Sequence, residues 1–179
     1  MYWDKEGREC TGNTVKQAIE AAKSNGIRHI VVASNTGETA RLFVDCGLDV
    51  TCVTHVYGFR APGENEMDMN VRRELENKGM KVLTTAHALS GVERAFSNKF
   101  GGTYPAEIMA NSLRMLGQGV KVCVEIATMA MDSGCIPHGE KVVAVGGTGR
   151  GADTAVIIRP SYSKDIFNTR IEEIVCKPR

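Results

Sequence analysis

The sequence predicts an α/β fold: a three-layer, doubly wound, mostly parallel sheet in strand order 3-2-1-4-5, with strand 5 antiparallel. Three observations carry that reading. Amphipathic helical stretches alternate with short runs of β-branched residues, as parallel strands joined by right-handed crossovers require. The strand runs are apolar without alternation, the mark of strands covered on both faces. A long helical excursion from His87 to Gly134 separates the third strand from the fourth, and it most simply returns the chain to the far side of the first strand. With 179 residues the chain can bury one good core and is short for two, so residues 1–179 are expected to form a single domain.

Taken in order, "GNTVKQAIEAAKSNG" places Val15, Ala18, Ile19 and Ala22 on one helical face, with Asn13 or Thr14 as N-cap and Gly26 as the left-handed stop. "IRHIVVAS" is the first strand. After the polar loop "SNTGET" a helix carries Ala40, Phe43 and Val44 and ends at Gly47, and "LDVTCVTHV" is the second strand. The loop "YGFRAPGENE" leads to a helix with Met67, Val71 and Leu75, stopped by Gly79, before the third strand "MKVLTTA".

Within the excursion, "SGVE" has the form of a capping box, and Pro105 suits the first turn of another helix. "GVKVCVEIATMAMDSG" is apolar nearly all round, so it is expected between the sheet and neighbouring helices. Core is the default for Val120 to Met131, and an interface in a homo-oligomer is the alternative. Glu125 inside this helix admits two readings, a carboxylate facing a ligand site or one paired with a base at a solvated seam. "EKVVAVGG" and "TAVIIRP" are the fourth and fifth strands; about seven residues between them are too few for a crossover helix, so they form an antiparallel hairpin. "DIFNTRIEEIVCKPR" is compatible with a short helix or an edge strand.

Composition narrows the function. Lys plus Arg total 22 against 21 Asp plus Glu, with no block of like charge, which speaks against a nucleic-acid partner. No apolar run approaches the ~20 residues of a membrane span and no signal-peptide pattern is visible, so a cytoplasmic protein without a membrane partner is expected. The six cysteines show no C-x-x-C spacing, and Cys46, Cys52 and Cys123 sit in apolar segments where thiols pack as small hydrophobes. The four histidines lack the paired spacing of a metal centre, and no metal is expected.

Two loops carry chemistry. "VVAVGGTGRGADTAVIIRP" holds Gly147, Gly149 and Ala152 at dinucleotide-fingerprint spacing, but a strand follows where the fingerprint needs a helix, so that reading fails. Gly146, Gly147, Thr148, Gly149 and Arg150 can still form an anion nest, or simply a hairpin loop with Arg150 in solvent. "ASNTGETA" lies at the carboxyl end of the first strand and opens a helix. Ser34, Asn35, Thr36 and Thr39 surround Gly37 there, a supply of donors suited to a phosphate.

Strand order 3-2-1-4-5 puts both loops at the switch point, where open α/β sheets bind ligands. His55 and Tyr57 after the second strand, His87 after the third, and Thr103 and Tyr104 in "GGTYP" are further candidates for that crevice. His29 and His138 are expected to be structural. Phosphotransfer or hydrolysis finds no support, because the sequence shows no paired carboxylate and base beside the phosphate loop and no Walker lysine after Gly37.

The segments "NTVKQAIEAAKSNGIRHIVVASNTGETARLF", "VTCVTH" and "IPHGEKVVAVGGTGRGADTAVIIRP" resemble the C-terminal allosteric domain of pyruvate kinase, with its "T-x-S-G-x-(S/T)-A" loop and final glycine-loop hairpin in register. Over nearly the whole chain the likeness is nearer to stand-alone archaeal and bacterial proteins of that type. The resemblance implies a pyruvate kinase C-terminal domain-like fold without the catalytic barrel, and so no pyruvate kinase activity. It further implies flavin mononucleotide (FMN) as ligand, its 5′-phosphate on Ser34, Asn35, Thr36, Gly37 and Thr39. The hairpin loop "GGTGRGAD" lacks the aromatic residue of the sugar-binding kinases, which disfavours a sugar bisphosphate. A flavin would carry its own redox chemistry, leaving open a flavin-dependent oxidoreductase of unknown substrate and unassigned catalytic residues. The alternative is a regulatory sensor that binds a phosphorylated metabolite such as a sugar phosphate.

Overall fold

In a computed structural model that describes all 179 residues, seven strands form one sheet: β1 (Tyr2–Trp3), β2 (His29–Ala33), β3 (Asp49–Val53), β4 (Lys81–Leu83), β5 (Val142–Gly146), β6 (Thr154–Arg159) and β7 (Arg170–Pro178). Their spatial order is β1-β7-β6-β5-β2-β3-β4. The five strands expected from sequence are β4-β3-β2-β5-β6, in the expected order. β2, β3, β4 and β5 run parallel, and β6 pairs antiparallel with β5, Gly146 facing Thr154 at the hairpin end.

Side-chain alternation along the central strands divides the core. Ile30, Val32, Val143 and Val145 point to one side, where Val15, Ala18 and Ala22 of α1 (Thr11–Ser24) and Leu75 of α3 (Met69–Asn77) cover them. Val31, Val142 and Ala144 point to the other, against Cys123, Ala127 and Ala130 of α6 (Gln118–Asp132). The result is three layers with both faces of β2 and β5 dry. The apolar run of α6 is core of this chain, packed against β5, β6 and β2, with α5 (Pro105–Arg114) at its side.

Several boundaries differ from the sequence reading, each for a local reason. α1 starts at Thr11 rather than after Asn13 or Thr14, because a 3-10 turn at Arg8–Cys10 feeds straight into it. The helix after "SNTGET" is one turn, α2 (Glu38–Arg41), and the chain then unwinds to Asp45, which adopts a left-handed conformation at φ 58°. Phe43 nevertheless stays in the core at 1% exposure. The capping box "SGVE" does not form: α4 (Glu93–Phe100) has no side-chain cap, and the Glu93 carboxylate accepts from the Ala106 N–H at 2.8 Å, at the start of α5.

The undecided C-terminal segment is a 3-10 stretch, Ser163–Asn168, followed by β7, which pairs antiparallel with β6. β1 adds to it in parallel at its end alone, Lys177 and Pro178, so most of its length is an edge. That N-terminal extension is fastened to the hairpin: the Trp3 indole N–H donates to the Asp153 carbonyl at 2.7 Å, and the Gly7 N–H to the Asp153 carboxylate at 2.8 Å.

Candidate functional site

The chain crosses from one side of β2 to the other between β4 and β5, so the loops after β2 and β5 diverge and leave a crevice at the carboxyl ends of the strands. Its volume is about 710 Å³, within the range of small-molecule sites. Ser34, Asn35, Thr36 and Thr39 line one wall, His55 and His87 a second, and Gly147, Gly149 and Arg150 the third. Residues separated by more than 100 positions thus meet, as the strand order requires.

The β2 loop is built to offer donors. The N–H of Ser34 extends the sheet to the Val53 carbonyl at 3.0 Å, and its Oγ accepts from the Ala40 N–H at 3.3 Å, folding the loop back over α2. The N–H groups of Asn35, Thr36 and Gly37 then donate to no acceptor in the protein. Three consecutive unpaired amides beside hydroxyls form a concavity of positive partial charge. Gly37 itself does not line the crevice. It sits behind the loop at φ 91°, where a Cβ would meet Val71 Cγ1 at 2.5 Å, so glycine both permits the turn and lets α3 pack against it.

The glycine loop is held from behind. Asp153, fully buried, accepts from the Gly7 and Thr148 N–H groups at 2.8 and 3.0 Å through one carboxylate oxygen and from the Thr154 hydroxyl at 2.7 Å through the other. Thr148 is thereby turned away from the crevice and lines a smaller cavity of about 240 Å³ on the far side of the loop. Gly146 is also outside the crevice, because a Cβ there would meet the Gly119 carbonyl at 2.8 Å, where β5 and the start of α6 touch. Tyr57, 61% exposed, does not face the crevice. Thr103 and Tyr104 precede α5 and do not line it either; the Tyr104 ring packs on Phe96 at 5.9 Å.

Residues that the sequence reading passed over supply much of the lining. The connector after β3 folds back, so that the Glu66 carboxylate pairs with the Nδ1 of His55 and with Arg60, the latter at 2.9 Å. His55 Nε2 stands 3.1 Å from the Asn35 amide nitrogen. A paired carboxylate and base therefore do stand beside the phosphate loop, contrary to expectation. The density of Arg60, Glu64, Asn65 and Glu66 in a Gly/Pro-containing loop at the carboxyl end of a strand was the available signal.

Phe59 packs at a tilt against His55, ring centroids 3.9 Å apart, and the His87 ring meets His55 edge-on at 5.5 Å and Phe59 at a tilt at 5.6 Å. Val122, Ile126 and Met129 add an apolar stripe of α6, at helical spacing, to the same lining. Burial holds the His87 imidazole below its ordinary range despite the attraction of Glu125, and His55, Lys121 and Arg94 push it the same way. His87 is neutral at pH 7.

Glu125 pairs with a base, one of its two readings, and also lines the crevice. The side chain is nearly buried, pairs with Lys121 one turn earlier, accepts from the Leu89 N–H at 3.0 Å, and lines the crevice. Arg94, Arg114 and Arg150 add cations that no carboxylate neutralises. Elsewhere, Cys52 and Cys123 are fully buried and Cys46 partly so; burial pushes the Cys52 thiol up to about 12. No three His, Cys, Asp or Glu side chains converge as metal ligands. No helix is long and apolar enough to cross a membrane.

A family model described as the pyruvate kinase alpha/beta domain matches residues 13–158. Among solved structures, the chain is similar to a pyruvate kinase from Cryptosporidium parvum, 18% identical over 82% of this chain and 22% of that one, with a TM-score of 0.43. It is also similar to Cryptosporidium parvum pyruvate kinase in complex with ADP, 17% identical over 81% of this chain and 22% of that one, with a TM-score of 0.41. The chain spans about a fifth of the length of these kinases.

Proposed function

The chain belongs to the pyruvate kinase alpha/beta domain family, and from that premise we propose that it binds a phosphorylated small molecule, FMN foremost, in the switch-point crevice. The observation that carries the reading is the loop after β2, whose N–H groups at Asn35, Thr36 and Gly37 have no acceptor of their own. A phosphate in the crevice would satisfy those of Asn35 and Thr36, which line it, with the hydroxyls of Ser34, Thr36 and Thr39 as further donors.

FMN fits the remaining chemistry of the lining. A planar ring system needs aromatic and apolar contacts, and Phe59, His55 and His87 together with Val122, Ile126 and Met129 supply such groups to the lining. Two polar groups of the lining without a protein partner, the Arg94 guanidinium and the Gln118 NH2, are suited as donors to the ring's carbonyls and nitrogens. When bound, a flavin supplies hydride or single-electron transfer. The chain's part is to anchor the phosphate, clamp the ring and keep a neutral imidazole, His87, against it.

A second reading is a sensor for a phosphorylated metabolite such as a sugar phosphate. Only six of the 28 lining residues are hydrophobic, which favours a hydroxyl-rich ligand more than an extended aromatic one. Pyruvate kinase activity is not proposed for this chain.

The visible spectrum of the natively purified protein separates the two readings. Flavin absorbance, or its appearance with quenched flavin fluorescence on adding FMN, is the expected result. A colourless protein that ignores FMN but is thermally stabilised by a sugar phosphate would favour the sensor.

A further inference from the structure

The Asn35–His55–Glu66 chain does more than tie loops together. The Glu66 carboxylate can only accept, so the neutral form of the His55 ring has its proton on Nδ1 and a lone pair at Nε2. With that form the Asn35 NH2, 3.1 Å from Nε2, donates to His55, which leaves the Asn35 Oδ1, an acceptor without a protein donor, as its free group. That orientation is the wrong one for a phosphate, whose oxygens seek donors.

We propose that His55 takes up a proton when a phosphate or phosphomonoester binds, and that Asn35 turns its amide over in response. Nε2, once protonated, donates to Asn35 Oδ1, and the Asn35 NH2 becomes a donor beside the unpaired amides of the loop. One proton moves from solvent to Nε2, and the imidazolium so formed faces the Glu66 carboxylate. His55 is 30% exposed and Glu66 12%, so the pair is shielded enough for its charges to count. The other groups around the ring are accounted for. Arg60 pairs with Glu66 from the same loop, Phe59 is neutral, and His87, neutral itself, approaches from the β4 side with Glu125, Lys121 and Arg94 beyond it. Glu66 and His55 are in this sense positioning residues, acting on the ligand through Asn35. The inference rests on the phosphate-binding reading above, whatever the rest of the ligand is.

Calorimetry with inorganic phosphate and with FMN, near pH 7.5 in buffers of different ionisation enthalpy, counts the protons exchanged on binding. The phosphate of FMN, with a second pKa of about 6, is already mostly dianionic near pH 7.5, so for that ligand the difference between variants reports chiefly on His55. Wild type should take up more protons per ligand than His55→Gln, by about one at most. Glu66→Gln should lose most of that difference while the fold stays intact by thermal unfolding. Asn35→Asp, which can only accept, should weaken binding by about tenfold or more, whereas Asn35→Ser, which keeps a donor, should weaken it less. Equal proton exchange in wild type and His55→Gln, with binding intact, would overturn the relay. If neither inorganic phosphate nor FMN binds wild type, the phosphate-binding reading itself fails and takes the relay with it.

Discussion

Gly37 and Val71 are neighbours across the loop–helix contact: a Cβ placed on Gly37 would lie 2.5 Å from Val71 Cγ1. Gly37 also holds φ 91°, a conformation that costs a residue with a side chain about 1–3 kcal/mol. Strain and overlap therefore fall on the loop that offers the unpaired amides. Gly37→Val should destabilise the protein by about 2 kcal/mol or more in denaturant unfolding and abolish phosphate binding. Gly37→Ala combined with Val71→Ala should relieve the overlap but not the strain, and recover only part of the stability.

The Lys121–Glu125 pair lies only 9% and 7% exposed on α6, at the crevice wall beneath the Leu89 segment. Removing one partner strands a charge, a change that costs about 3 kcal/mol or more, whereas removing both is far cheaper. Lys121→Met should lower the unfolding midpoint sharply. Lys121→Met with Glu125→Gln should restore much of it, since the glutamine oxygen can still accept from Leu89.

His87 gives the fold a pH dependence. Burial lowers its folded-state pKa below the ordinary value of 6.5, so below that pH the unfolded chain binds a proton more readily than the folded one. The stability tied to a neutral His87 is thus complete above pH 6.5 and is lost as pH falls towards the folded-state value. Thermal unfolding of wild type and His87→Asn from pH 7.5 down to pH 5 should show a steeper loss in wild type.

The central sheet was legible because burial on both faces writes itself as unbroken apolar runs: Ile30–Val32, Val142–Val145 and Val156–Ile158 could be read without their neighbours. β7 was not, because only Val175 and Cys176 of its nine residues are buried and Glu172, Glu173 and Arg170 mask the strand pattern. β1, two residues long, exists only by pairing with β7. In the site, strand order was enough to bring Ser34 and Asn35 to face Gly149 and Arg150. It could not orient side chains: Tyr57, two residues beyond His55, turns outward, and Tyr104 serves helix packing instead. Glu66 entered the site through a fold-back of its loop that no periodicity encodes.

Asp153 fastens the glycine loop to the N-terminal segment through two backbone N–H groups, without a cationic partner. Asp153→Ala should leave both N–H groups and the Thr154 hydroxyl without their acceptor and cost about 1–3 kcal/mol or more, whereas Asp153→Asn, whose amide oxygen can take the place of the shared oxygen, should cost less. Hydrogen exchange should show residues 4–10 and the Gly147–Gly151 loop opening together, ahead of β2 and β5.

The most direct measurement is a fluorescence titration of the protein with FMN and, in parallel, with riboflavin, which has the same ring and lacks the phosphate. A crevice anchored by the loop after β2 should bind FMN saturably and riboflavin about tenfold or more weakly, with inorganic phosphate competing against FMN. Equal affinity for the two flavins, or no saturable binding of either FMN or inorganic phosphate, would contradict it.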